Sequence, residues 1–244
     1  MAHRRSPCVP ARLAIAGGLV ALAATGCVVP LDPPSAQAGG AGAPDGRFVP
    51  ATGPYVGGGV IYTSLEGDFD GDSSLVSSGP GNVQINIPNI DYGFGGRIAG
   101  GYRWKQAAVE LAIQNSRHDD SFGGVTNTAI YTSYDLNGYL YLPFPEPHVK
   151  PAIMGGFALP YLTLDHASND GTFTADGRLY GYGFNLGGAA DIYVMKNLSI
   201  DARAYYHWTR FDTAAGVGTG YHEIHGGDLN GDGWTFALGA SWTF

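Results

Sequence analysis

The chain has 244 residues, and 13 Lys and Arg against 21 Asp and Glu give a formal net charge of −8. That balance leaves no basic patch to neutralise phosphates and excludes nucleic acid as a partner. With 39 glycines and an aromatic share of 12% against a charged share of 14%, the composition disfavours helix and suits a strand-rich fold.

The N-terminus reads as an export signal over residues 1–26. Arg4, Arg5 and Arg12 precede the uncharged run "LAIAGGLVALAATG", a basic segment followed by an apolar one too short for a spanning helix. "ALAATGC" resembles a bacterial lipobox and makes Cys27 the candidate for lipidation. The alternative is cleavage after Ala38, where "SAQA" ends in a small-x-small pattern. Cys8 and Cys27 are the only cysteines, so the folded part can hold neither a disulfide nor a Cys-ligated zinc site. Residues 27–52 form a Gly/Pro/Ala-rich tether, and the folded domain is expected over 53–244.

From Gly53 onward the hydrophobic period is two. The segment at 53–65 is counted as a strand although Gly57 to Gly59 blur its register. In "FGGRIAGGYRW", Phe94, Ile98, Tyr102 and Trp104 oppose Arg97 and Arg103. Next, Val109, Leu111 and Ile113 oppose Glu110 and Gln114. Tyr134, Leu136, Leu140, Leu142 and Phe144 oppose Asp135, Asn137 and Tyr139. The segment at 149–164 is also counted as a strand, despite Pro160. Tyr182, Phe184, Leu186, Ile192 and Val194 oppose Asn185 and Asp191. Leu198, Ile200, Ala202, Tyr206 and Trp208 oppose Asp201, Arg203 and His207. The closing segment alternates Trp234, Phe236, Leu238, Ala240, Trp242 and Phe244 with small or polar residues. A period of two puts the two sets on opposite faces of a strand.

The charges decide the class. Aromatics stand on the apolar faces near the strand ends, whereas Arg, Glu, Asp and Asn share the other face with Gly and Ala. Opposite charges and small residues suit a narrow lumen, with the apolar band facing lipid. A soluble lipocalin-like barrel needs the reverse arrangement. The connections at Lys105–Gln106, Pro145–His148 and Lys196–Asn197 are short, and those at 67–91, 117–126, 166–178 and 212–232 are long and polar. Short turns alternating with long loops are the layout of an outer-membrane barrel. The expected fold is all-β, an eight-stranded antiparallel up-and-down transmembrane β-barrel.

Within such a barrel Arg97, Arg103, Glu110, Asp135, Asp191, Asp201, Arg203 and His207 form a lumen charge network. Eight strands leave an interior that side chains fill, so the network is expected to pack the barrel, with a narrow solute conduit as the alternative. Two loops carry acidic triplets: Asp68, Asp70 and Asp72, and Asp228, Asn230 and Asp232. Oxygen ligands at alternate positions followed by Gly suit Ca²⁺. The twelfth position of a calcium loop counted from Asp228 is Gly239, not Glu, so a polar turn or loosely bound divalent cations are the competing readings. His222, Glu223 and His225 lack zinc-protease spacing and read as surface residues.

"GPYVGGGVIYTS", "GFGGRIAGGYRW" and "TFALGASWTF" together resemble the small OmpA/OmpX-like outer-membrane β-barrels. The resemblance covers the barrel domain only and implies no peptidoglycan-binding domain. It implies that Trp242 and the terminal Phe244 belong to the signal read by the barrel-assembly machinery during insertion. "HASNDG" also resembles a segment of the lipid A deacylases, with His166 and Ser168 as base and nucleophile. That family supplies an orienting Glu, and none occurs here between Glu146 and Glu223.

The resulting expectation is a monomeric barrel in the bacterial outer membrane, in contact with lipid and lipopolysaccharide. It has no enzymatic activity and no cofactor, and its role is structural or surface-interactive through long acidic outer loops. The alternative activity is an acyl hydrolase acting on lipid A.

Overall fold

The computed structural model describes residues 49–70, 73–76, 84–122, 125–164, 177–215, 221–223 and 229–244. All fall within one compact unit, Gly42–Phe244. In chain order the strands are β1 (Gly53–Thr63), β2 (Ser73–Val76), β3 (Gln84–Ile87), β4 (Asn89–Arg103), β5 (Ala107–Phe122), β6 (Val125–Tyr141), β7 (Val149–Leu164), β8 (Gly177–Tyr193), β9 (Leu198–Ala215), β10 (Tyr221–Glu223), β11 (Leu229–Asn230) and β12 (Gly233–Thr243).

Eight of these close a barrel. Each of β4 to β9 pairs antiparallel with its sequence neighbour, β12 pairs β9, and β1 joins β12 to β4. Closure leaves no unpaired edge, the condition for a sheet that meets hydrocarbon. The expected strands are all present, and the alternation sorts as the sequence indicates. Glu110, Asp135, Asn137, Asn185, Asp191, Asp201, Arg203 and His207 are buried inside, whereas Leu111, Leu136, Phe184, Leu186 and Leu238 are exposed outside. β1 and β12 approach closely on the lumen side. A Cβ placed on Gly57 would lie 2.8 Å from that of Ser241, so only glycine fits there.

Three readings of the connections change. Most of the segment 117–126, expected as a loop, is strand: β5 continues to Phe122 and β6 begins at Val125, with pairing from Arg117↔Ile130 out to Phe122↔Val125. The 67–91 connection contains a short 3₁₀ turn at Gly67–Phe69, the β2–β3 hairpin and the start of β4. β9 runs on to Ala215 and adds β10 and β11 to its edge. Between Gln114 and Phe122 of β5 the residues are polar on both faces, so the apolar/polar period that marks a strand fades. At the other end β6 stops at Tyr141, which leaves Leu142 and Phe144 beyond the strand.

The short turns and both ends of the barrel domain share one rim. There Phe244 donates its backbone N–H to the Pro54 carbonyl at 2.9 Å, and Asn197 Nδ2 donates to the Thr243 carbonyl at 2.6 Å. The long connections share the opposite rim.

Candidate functional site

The centre of the lumen is organised around Glu110, which β5 points inward from mid-strand. Its carboxylate accepts from the Tyr55 hydroxyl at 3.0 Å, from Arg203 Nη2 at 3.1 Å, from the Tyr139 hydroxyl and from the Arg97 guanidinium. Those partners come from β1, β9, β6 and β4, so with β5 one carboxylate ties five of the eight barrel strands together. Arg203 also approaches Asp201 at 3.7 Å, and Asp201 accepts from the Ser199 and Ser241 hydroxyls at 2.8 and 3.3 Å.

A second cluster lies nearer the short-turn rim. Arg103 pairs with Asp191 at 3.2 Å and donates to the Tyr141, Thr243 and Ser241 hydroxyls at 3.1, 3.0 and 3.2 Å. Its guanidinium also stacks over the Tyr55 ring, 4.5 Å from the centroid. Across the two clusters the cations Arg97, Arg103 and Arg203 balance the anions Glu110, Asp191 and Asp201. Burial without such mutual satisfaction would cost several kcal/mol per ion.

Two members of the sequence-derived set stand apart. Asp135 accepts from the Ser133 hydroxyl at 2.5 Å, and its other oxygen has no hydrogen-bond partner among the described residues. His207 lies above the charged layer, 3.4 Å from the Thr235 hydroxyl and stacked on Tyr131 with centroids 6.0 Å apart. Neither enters an ion pair among the described residues.

The long-loop end of the lumen is closed differently. Leu65, Phe69, Tyr131, Leu162, Phe211 and Leu229 belong to a buried apolar cluster there, with the Phe69 and Phe211 rings edge to face at 5.7 Å. Sequence reasoning missed this cap. A signal was available, because Leu162 and Leu164 carry the lumen-facing parity of β7 yet are apolar. Between the cap and the short-turn rim, Tyr55, Arg97, Glu110, Asp201, Arg203 and Ser241 line a cavity of about 10 Å³. That is close to the smallest space a single water occupies.

The acidic loop residues have structural partners. Asp68 Oδ2 accepts from the Asn230 backbone N–H at 2.7 Å. Asp232 Oδ1 accepts from the Thr209 N–H at 2.9 Å and from Arg210 Nη1 at 2.8 Å. The Glu66 N–H donates to the Asp232 carbonyl at 2.6 Å, and the Trp234 N–H to the Ser64 hydroxyl at 2.9 Å. These bonds run the start of the first long connection alongside the end of the last and hold Phe69 over the lumen. Asp70 is exposed. No group of three or more His, Cys, Asp or Glu placed to hold a metal occurs among the described residues. Asp72, Asp228, His225, His166, Ser168 and Cys27 lie outside the described residues. His222 and Glu223 are in β10, paired with Ala214 and Thr213.

The sequence profile described as outer membrane protein beta-barrel domain matches residues 35–244. The chain belongs to this family. Among solved structures, it is similar to the outer membrane protein OprG from Pseudomonas aeruginosa at 15% identity and a TM-score of 0.52, covering 81% of this chain and 98% of that one. Neisserial surface protein A is similar at 17% identity and a TM-score of 0.47, covering 78% and 97%. Ail, the attachment invasion locus protein of Yersinia pestis, is similar at 13% identity and 0.44, covering 80% and 100%. None of the curated protein sequences matches this chain.

As an integral barrel of the bacterial outer membrane, the protein has a direct use for its outer face. Val60, Ile98, Leu111, Leu136, Phe184 and Leu238 are each 49–66% exposed and form part of an apolar belt around the barrel. Water-facing surfaces rarely carry an apolar patch beyond a few hundred Å². Trp104 and Trp242 border the belt at the short-turn rim, and Trp208 and Trp234 border it at the other, the positions of interfacial aromatic girdles.

Proposed function

We propose that this protein is a sealed outer-membrane barrel that conducts no solute and catalyses no reaction. On this reading the long-loop rim faces outward, and the acidic connections offer a surface for contact with lipopolysaccharide, ions or a partner. The observation that carries the reading is the doubly closed lumen. A charge-balanced layer around Glu110 and Arg103 fills its centre, an apolar cap around Phe69 and Phe211 closes its outer end, and the cavity at the charged layer measures about 10 Å³. A hydrated ion or a sugar needs a continuous wet path, and paired, fully buried charges do not provide one. The test is electrical recording from the purified protein in planar lipid bilayers. The expected record is flat over hours at applied voltages that leave the bilayer intact. Reproducible unitary current steps scaling with protein concentration would overturn the reading.

A further inference from the structure

One concavity on the outer wall is unlike the rest of the belt. Tyr134, Leu159, Pro160, Tyr161, Arg178 and Tyr180 line a groove of about 610 Å³ across β6, β7 and β8, near the long-loop rim. Its shape follows from the backbone. The β7–β8 ladder runs to Ala158↔Gly183 and resumes at Tyr161↔Tyr180, so it is interrupted at Leu159 and Pro160. Proline has no N–H to give to a ladder. On the other side of β8 the pairing with β9 slips by one residue between Tyr180 and Gly181. The wall is therefore irregular at one level on both edges of β8.

Three tyrosines line up across this level. Tyr134 and Tyr161 have ring centroids 6.4 Å apart at 24°, and Tyr161 and Tyr180 are 6.1 Å apart at 29°. The three rings stand side by side on the outside of the barrel, with the apolar side chain of Leu159 beside them. At the rimward end stands Arg178, exposed, opposite Thr163 in the ladder and without an ion-pair or hydrogen-bond partner among the described residues. A guanidinium at a membrane interface is suited to a phosphate, which it grips with two parallel hydrogen bonds.

We infer that this groove is a binding site for lipid A, the phosphorylated, multiply acylated disaccharide of the outer leaflet. One acyl chain lies over Leu159 and Pro160, the sugar rings lie along the tyrosine row, and a phosphate meets Arg178. The position calls for an amphiphile, because the groove lies on the outer wall near the long-loop rim, with Leu159 at its apolar side and Arg178 at its rimward end. A phospholipid would satisfy Leu159 and Arg178 but would bring no sugar to the row of tyrosines. The inference rests on the reading that the long-loop rim faces outward.

The folded domain has no native cysteine, so orientation can be checked first with Asp70→Cys and a membrane-impermeant maleimide on intact cells. Labelling is expected, and absence of labelling would overturn the orientation and the lipid A site together. The site itself is tested by native mass spectrometry of the detergent-purified protein incubated with hexa-acylated, bis-phosphorylated lipid A or with phosphatidylglycerol. Heat-modifiable gel mobility confirms that each variant is folded. The wild type is expected to retain one lipid A at least about tenfold more than phosphatidylglycerol, with Arg178→Ala and Tyr161→Ala each losing about tenfold. Leu238→Ala, on the opposite wall, is expected to retain lipid A as the wild type does. Labelling at residue 70 combined with equal retention by wild type, Arg178→Ala and Tyr161→Ala would refute the site while leaving the orientation intact. Equal retention of phosphatidylglycerol and lipid A would reduce it to a general anionic-lipid contact and refute the assignment.

Discussion

Glu110 in β5 and Arg203 in β9 meet at 3.1 Å although 93 residues separate them in sequence. Those strands are not neighbours in the sheet, so the ion pair spans the lumen as a strut. Glu110 also receives Arg97 and the hydroxyls of Tyr55 and Tyr139. Removing it leaves the buried Arg97 guanidinium without a counter-charge among the described residues and Arg203 with only Asp201, at 3.7 Å. Glu110→Ala is expected to destabilise the barrel by about 3–5 kcal/mol, the usual cost of breaking a buried pair from one side. Glu110→Gln, which keeps an acceptor for the tyrosines, is expected to lose less. Urea unfolding in lipid vesicles, followed by tryptophan emission, measures both.

The cap and the charged layer are separate seals. Phe211→Ala removes a fully buried ring packed on Phe69, and a loss of about 3–5 kcal/mol is expected in the same unfolding experiment. Bilayer recordings of this variant are expected to remain flat, because the Glu110 and Arg103 layer beneath the cap is untouched. Current through Phe211→Ala would locate the seal in the cap alone.

The pairing of Asp68 with the Asn230 N–H assigns a mechanical role to residues that sequence spacing also offers to calcium. Asp68→Ala is expected to lower stability by about 1–3 kcal/mol, the range for a hydrogen bond to a charged group, and Asp68→Asn to lower it less because an acceptor remains. Millimolar Ca²⁺ or a chelator is expected to leave the heat-modification temperature of the wild type unchanged. A calcium-dependent rise that Asp68→Asn abolishes would restore the metal reading.

The barrel was legible because its two environments differ so sharply. Leu136 beside Asp135, or Leu111 beside Glu110, already states which face meets lipid and which meets the lumen. The extension of β5 through Arg117–Phe122 was not legible, because Ser116, Arg117, His118, Asp119 and Asp120 are polar on both faces and erase the period. Among the lumen charges, parity placed all eight residues inside but could not separate paired Glu110 from Asp135 and His207, since pairing depends on strands far apart in sequence. The apolar cap draws on two connections as well as strands, so no single window of sequence contains it.

The outer belt sets a directional expectation. Leu136 is exposed at mid-height on β6, so Leu136→Arg places a charge in hydrocarbon and is expected to cost about 2–4 kcal/mol of folding free energy in vesicles. The same substitution on a water-facing surface would be nearly neutral. A change within 0.5 kcal/mol, roughly the span of ordinary surface substitutions, would contradict the lipid-facing assignment.

The central claim, a barrel whose outer belt meets lipid, is tested most directly by its four tryptophans. Trp104, Trp208, Trp234 and Trp242 all stand on the outer face, between 39% and 46% exposed, near the two rims of the belt. In vesicles, lipids brominated along their acyl chains are expected to quench the emission strongly, most of all when the bromines sit near the headgroup, while aqueous iodide has little effect. Strong quenching by iodide with none by brominated lipid would place the aromatics in water and contradict the account.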